Sequence, residues 1–294
     1  MIYILYDVSE IDIPWFNCFR LAFISIYNNL LKNNIECSII EYNEYYRNIN
    51  KNDIIILFSP WFRFYNRINK FILYNSESLY VDKNKYFLNL YFEDNVLLWL
   101  DYSFKNLNLI QSEISEKISK IEKKYHHLTL SYSITLENLI IHDNNKKIDI
   151  LFFGSLNKRR LAIKEELEKY SLNVVFGEFT DYNKLYEAIS NSKIILVIHY
   201  YDEDLVIDHF RINILLSNKI FIIHEEIQKN EDYDDFRDNL IFSKYEEIVS
   251  NCLRYLNLSE EDRQLITDNI YNWYKNNHNI ENYLPIDDIK KFCD

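Results

Sequence analysis

The chain has 294 residues, 48% of them hydrophobic and 27% charged, which is enough apolar material for two cores and excludes a disordered polypeptide. Its net charge of −12 excludes a general nucleic-acid-binding face, because an acidic surface repels phosphate backbones. The four cysteines (Cys18, Cys37, Cys252 and Cys293) lack C-x-x-C spacing, which excludes a disulfide framework or cysteine metal site and points to a reducing compartment. No apolar run has the length of a bilayer span, and Met1 leads into Ile-Tyr-Ile-Leu-Tyr without a basic leader region. A cytoplasmic chain with no membrane span is therefore expected. Only two glycines occur, Gly154 and Gly177, and both are expected where the backbone needs them.

In chain order, Ile2–Tyr6 reads as a strand and residues 7–13 as a polar loop. Apolar residues at helical spacing (Trp15, Phe19, Ala22, Phe23, Ile26, Leu30) predict a helix over 15–34. Strands follow at 37–40, 53–58 and 70–74, helices at 96–108 and 112–124, and a strand at 128–132. After the polar stretch 142–147, strands are predicted at Ile148–Phe153, 173–176, 193–198 and 220–224. Helices are predicted at 158–170, 181–190, 207–218, 244–256 and 260–276. Alternating strands and helices indicate βαβ units and parallel sheets. The expected architecture is α/β: two Rossmann-like doubly wound domains facing each other across a cleft. Their expected spans are 1–140 and 141–258, with 259–294 a helical segment crossing back toward the first. Leu265, Ile266, Ile270 and Trp273 give that last helix its apolar face.

Three stretches carry a family resemblance. The first is Trp99-Leu-Asp101-Tyr102-Ser103 with Asn106. The second is Asp149-Ile-Leu-Phe-Phe-Gly154-Ser155-Leu-Asn157-Lys158-Arg159-Arg160. The third runs from Lys193 through His199-Tyr200 and Asp208-His-Phe-Arg211 to His224-Glu225. In order and spacing these resemble the motifs of spore-coat-type, metal-independent glycosyltransferases of the GT-B fold. Asp208 stands where that family usually has Glu, and His224 where it often has Ser. The resemblance implies a UDP- or GDP-type nucleotide sugar held by the C-terminal half and a glycan or protein-linked acceptor held by the N-terminal half. No other cofactor and no metal are implied.

Breaking the bond to a diphosphate leaves negative charge that cations, backbone N–H groups and helix N-termini must stabilise. Gly154, Ser155, Arg159 and Arg160 offer these at a strand-to-helix turn, Gly154 by letting the backbone approach a phosphate. Arg211 is expected to bind diphosphate through its fork, or else to form an ordinary helix pair with Asp208. Asp208 and Glu225 are candidates for ribose hydroxyls. His199 and Tyr200 follow the most apolar strand and are expected to meet phosphate or sugar. A general base is sought among Glu10, Asp12 and Glu77, with His199 a further catalytic candidate. His126 and His127 read as structural, and Asp202-Glu203-Asp204 as a D-x-D by spelling only. The main reading is a metal-independent glycosyltransferase. The alternatives are a non-catalytic nucleotide-binding or scaffolding protein that keeps the fold, and a hydrolysing or epimerising enzyme.

Overall fold

A computed structural model describes residues 1–6, 17–41, 49–58, 69–80, 88–91, 93–116, 124–143, 145–202, 206–229 and 231–293. The chain divides into two compact units. The first comprises Met1–Ile11, Ala22–Leu130 and Ile280–Asp294, and the second Asp12–Leu21 and Ser131–Asn279.

The first unit holds strands β1 (Ile2–Tyr6), β2 (Cys37–Glu41), β3 (Ile54–Phe58), β4 (Lys70–Asn75), β5 (Val96–Asp101) and β6 (Lys124–His127). Helices α1 (Asn17–Lys32), α2 (Leu88–Tyr91) and α3 (Phe104–Glu116) lie between them. The strands form one parallel sheet in the order β2-β1-β3-β4-β5-β6. Strands β3 and β4 are buried almost throughout, as parallel strands covered on both faces must be. Two expectations change here. Residues 96–101, predicted as helix, form the buried strand β5. A continuous apolar run carries no period, so spacing cannot separate a buried strand from a buried helix there. The strand predicted over 128–132 lies earlier, at β6, where register with β5 rather than hydrophobicity sets it.

The first family-like stretch builds a buried polar corner at the end of β5. Asp101 is fully buried and accepts from Trp99 Nε1 (2.9 Å), Asn75 Nδ2 (2.8 Å), Asn106 Nδ2 (2.9 Å) and the Ser103 amide (3.1 Å). Burial pushes its carboxyl up to about 6, against the pull of those donors. Asn75 and Asn106 also donate to the Glu77 carbonyl, and Asn106 Oδ1 accepts from the Leu79 amide. The Trp, Asp, Ser and Asn of this stretch therefore pin the loop after β4, and with it the backbone of Glu77. His126 meets Asp288 at 3.0 Å and His127 stacks on Phe104, both within this unit.

The second unit holds β7 (Ile148–Phe153), β8 (Val174–Gly177), β9 (Ser192–Val197), β10 (Ile222–Glu225) and β11 (Phe242–Ser243). Its helices are α4 (Lys158–Glu168), α5 (Tyr182–Ser190), α6 (His209–Ser217), α7 (Glu231–Phe236), α8 (Ile248–Leu256) and α9 (Glu260–Asn277). The parallel order is β11-β10-β9-β7-β8. The chain leaves β7 toward β8 and then returns to add β9 on the other side. That places the topological switch point between β7 and β9. Helix α9, expected to return to the first unit, instead packs on α6, with Ile270 and Tyr274 in the second unit's core and Leu265 exposed. The return is made by Ile280–Asp294.

Beside α9, one carboxylate oxygen collects three donors. Glu137 Oε1 accepts from Tyr132 (2.5 Å), Lys275 (2.8 Å) and Tyr271. Burial opposes its ionisation, but these bonds outweigh it and hold the carboxyl down at about 2. A depressed carboxyl stabilises the fold fully above its unfolded value of about 4.3. That contribution is lost as pH falls through about 2. Glu137→Gln is therefore expected to cost about 2 kcal/mol near neutral pH. The gap between the two proteins should close on acidification from about pH 4 downward, as read by denaturant unfolding across pH.

Candidate functional site

The site grows from three adjacent strand ends at the switch point of the second sheet. Strand β7 ends at Phe153 and the chain turns through Gly154 into α4, whose N-cap Asn157 accepts from the Arg160 amide. Strand β9 leads into His199 and Tyr200, and β10 ends in Glu225.

Gly154 has φ +134°, a region closed to side chains, and its amide donates to the Gly177 carbonyl at 3.0 Å. A Cβ added here would lie 2.2 Å from Arg211 Nη2. The space on the Cβ side of the glycine belongs to Arg211. At Gly177 a Cβ would meet only the Phe179 ring at 4.0 Å, so nothing in its surroundings demands glycine.

Arg211 stands in the first turn of α6. Its Nε donates to the Phe153 carbonyl at 3.0 Å and its Nη1 to Asp208 Oδ2. Asp208 caps the helix by accepting from the Arg211 amide at 3.1 Å. Both carboxylate oxygens of Asp208 thus serve Arg211. Arg211 Nη2 has no acceptor among the described residues.

Arg159 makes the second cation. Its Nη1 donates to Glu225 Oε2 (2.7 Å) and the His199 carbonyl (3.2 Å), its Nη2 to Glu225 Oε1, and its Nε to Asp202. The guanidinium lies 3.9 Å over the Tyr245 ring, and the Tyr245 hydroxyl donates to the Arg159 carbonyl at 2.7 Å. Glu225, only 3% exposed, accepts further from the His199 amide at 2.9 Å. Glu225 therefore holds Arg159 and the end of β9.

Arg160, expected beside Arg159 at the phosphates, turns inward. It is 3% exposed and donates to the Ile198 carbonyl (Nε, 3.1 Å; Nη2, 2.5 Å) and the Ser155 carbonyl (Nη1, 2.6 Å). Burial and the neighbouring Arg211 push its value down to about 9. It ties the turn to the end of β9. Ser155 is exposed on that turn, and Tyr200 is exposed with its carbonyl accepting from Asn157 Nδ2 at 2.7 Å.

His199 is buried to 8% exposure, and its Nε2 has no hydrogen-bond partner among the described residues. Burial holds its value down at about 4, so the ring is neutral at pH 7. An unpartnered polar atom costs free energy unless a ligand or water completes it. His224 packs 5.4 Å from it and is also neutral, burial having lowered it to about 4. Its Nε2 accepts from the Asp208 amide (3.2 Å) and its Nδ1 donates to the Glu225 carbonyl (2.5 Å). His224 thereby fixes both acidic partners of the arginines.

The structure brings Gly154, Arg159, His199, Asp208, Arg211 and Glu225 together, with Ser155 and Tyr200 at the edge and Arg160 beneath. Glu10, Asp12, Glu203 and Asp204 lie outside the described residues. Sequence reasoning gave no site role to Asn157, His224 or Tyr245 and read Asp202 only as part of a D-x-D by spelling. Asn157 carried the signal of an N-cap residue three before Arg160, whereas Tyr245, 86 residues from Arg159, carried none.

No known family profile matches the chain, and no curated protein sequence does. Solved structures do. An S. aureus TarM mutant in complex with Fondaparinux, alpha-GlcNAc-glycerol and UDP superposes with TM-score 0.58 at 12% identity, covering 85% of this chain and 57% of that one. A trehalose-6-phosphate synthase gives 0.57 at 9%, covering 85% and 76%. A T4 phage BGT mutant in complex with UDP-glucose gives 0.54 at 14%, covering both chains completely. The chain spans little more than half the length of TarM, 56% in a second TarM structure. At these identities the likeness is one of fold. Two parallel α/β sheets with this likeness give the chain the GT-B fold.

Proposed function

We propose that the second unit binds a nucleoside-diphosphate sugar and that the protein transfers the sugar to a hydroxyl of a glycan or similar acceptor without a metal. The observation that carries this is Arg211 Nη2, held over Gly154 at the switch point without an acceptor among the described residues. Arg159 adds a second cation for anionic oxygens, and His199 Nε2, without a partner among the described residues, adds a polar contact for the sugar. Each arginine is oriented by a carboxylate, Asp208 or Glu225, so its position is set before a ligand arrives. In transfer, the acceptor oxygen bonds to the anomeric carbon, the bond from that carbon to the diphosphate oxygen breaks, and the acceptor proton passes to a base. Charge on the departing diphosphate grows through this step. Fixed guanidinium groups lower its barrier without a metal. The neutral ring of His199 already bonds the Glu225 backbone, which leaves Nε2 to accept a hydrogen bond from a hydroxyl of the donor sugar.

Incubation with a panel of nucleotide sugars tests this. We expect slow release of free nucleoside diphosphate from one donor, undiminished by chelator. Binding without turnover would favour the non-catalytic reading, and an altered sugar the epimerising one. Activity abolished by chelator and restored by Mg²⁺ or Mn²⁺ would contradict metal independence.

A further inference from the structure

We propose that Asp202 makes the site discriminate between donor and product, its carboxylate weakening the nucleoside diphosphate more than the nucleotide sugar. This rests on the reading that Arg159 and Arg211 face a diphosphate. The observation is an asymmetry around Arg159. Its Nη groups turn onto the buried Glu225 and the His199 carbonyl, and Tyr245 supports the guanidinium plane. Its Nε turns to Asp202, whose side chain is 79% exposed while that of Arg159 is 11% exposed.

Glu225 holds the strand ends together, but Asp202 does not. A carboxylate so exposed adds little to stability and gives up little solvation when it is displaced. Asp202 therefore occupies the approach by which an anionic ligand oxygen would reach Arg159 Nε, as a built-in competitor. Displaced but still tethered nearby, it repels the ligand in proportion to ligand charge. Both phosphates of a nucleotide sugar are diesters with one charge each. After transfer the terminal phosphate is a monoester that loses a second proton with pKa about 6. The product thus carries nearly one more negative charge at neutral pH, and Asp202 opposes its retention more strongly. Product release limits turnover in many enzymes, so the effect has a use.

The test is calorimetric titration of UDP, UDP-glucose, GDP and GDP-mannose into wild type, Asp202→Asn and Asp202→Ala at low and high salt. Removing the charge should tighten the diphosphate by about two- to fivefold and the matching sugar less. The gain should shrink at high salt. Both variants should melt with wild type. Unchanged or weaker diphosphate binding, or equal tightening of both ligands, overturns the proposal and leaves the site reading standing. Absence of binding of all four probes to wild type overturns both.

Discussion

Asp101→Ala is expected to destabilise the first unit by about 3 kcal/mol or more, the largest stability effect foreseen for a single polar side chain here. Asp101 is fully buried and serves four donors on three segments: Trp99 on β5, Ser103 and Asn106 at the start of α3, and Asn75 at the end of β4. Alanine removes every acceptor and leaves a cavity lined by polar hydrogens. Asp101→Asn should fall between the two. An amide offers one acceptor oxygen instead of two and turns its own donors toward the others. Denaturant unfolding followed by Trp fluorescence measures both. A loss below about 1 kcal/mol for alanine would mean that water replaces the carboxylate readily and that the corner does not hold the loop.

Arg211→Ala is expected to lower turnover about a hundredfold by removing a charge-assisted contact that strengthens as the diphosphate departs. Arg211→Lys should recover only part, since an ammonium cannot reproduce the fork. The pair is only 17% and 23% exposed, so losing Arg211 costs some stability, but Asp208 keeps its capping bond to the backbone of α6 and the fold should persist. Gly154→Ala attacks the same contact from the other side. Its φ of +134° is closed to alanine, and the new methyl would lie 2.2 Å from Nη2, so backbone strain of about 1–3 kcal/mol joins displacement of the guanidinium. In an Arg211→Ala background the clash disappears and only the backbone strain remains. The double variant should accordingly be less damaged than the sum of the singles. Strict additivity in stability and turnover would show that Gly154 and Arg211 act independently.

Much of this was legible in the sequence because buried parallel strands announce themselves as unbroken apolar runs, as residues 150–153 of β7 and 194–197 of β9 do. The same property hid β5. In a chain with two glycines and three prolines, few punctuating residues mark where Val96-Leu-Leu-Trp-Leu begins and ends. The weakly apolar edge strand β6 carries no hydrophobic signature at all. At the site, Gly154, Arg159 and Arg211 could be named from turn chemistry and charge. Their pairing could not be. Whether Glu225 and Asp208 serve a ribose or an arginine depends on which strand ends adjoin, and that is a property of sheet order rather than local sequence. Arg160 and Arg159 are neighbours in the first turn of α4, yet one is enclosed by carbonyls and the other reaches Glu225 and Asp202. Amphipathicity likewise told that α9 has an apolar face, but not which surface would receive it.

The most direct measurement is calorimetric titration of UDP and of GDP into the wild-type protein and Arg211→Ala. The proposed site requires that one of the two nucleotides bind wild type at a single site, more weakly as salt rises, and that Arg211→Ala lose most of that affinity while remaining folded. Failure of both nucleotides to bind wild type, or equal affinities in the two proteins, would contradict it.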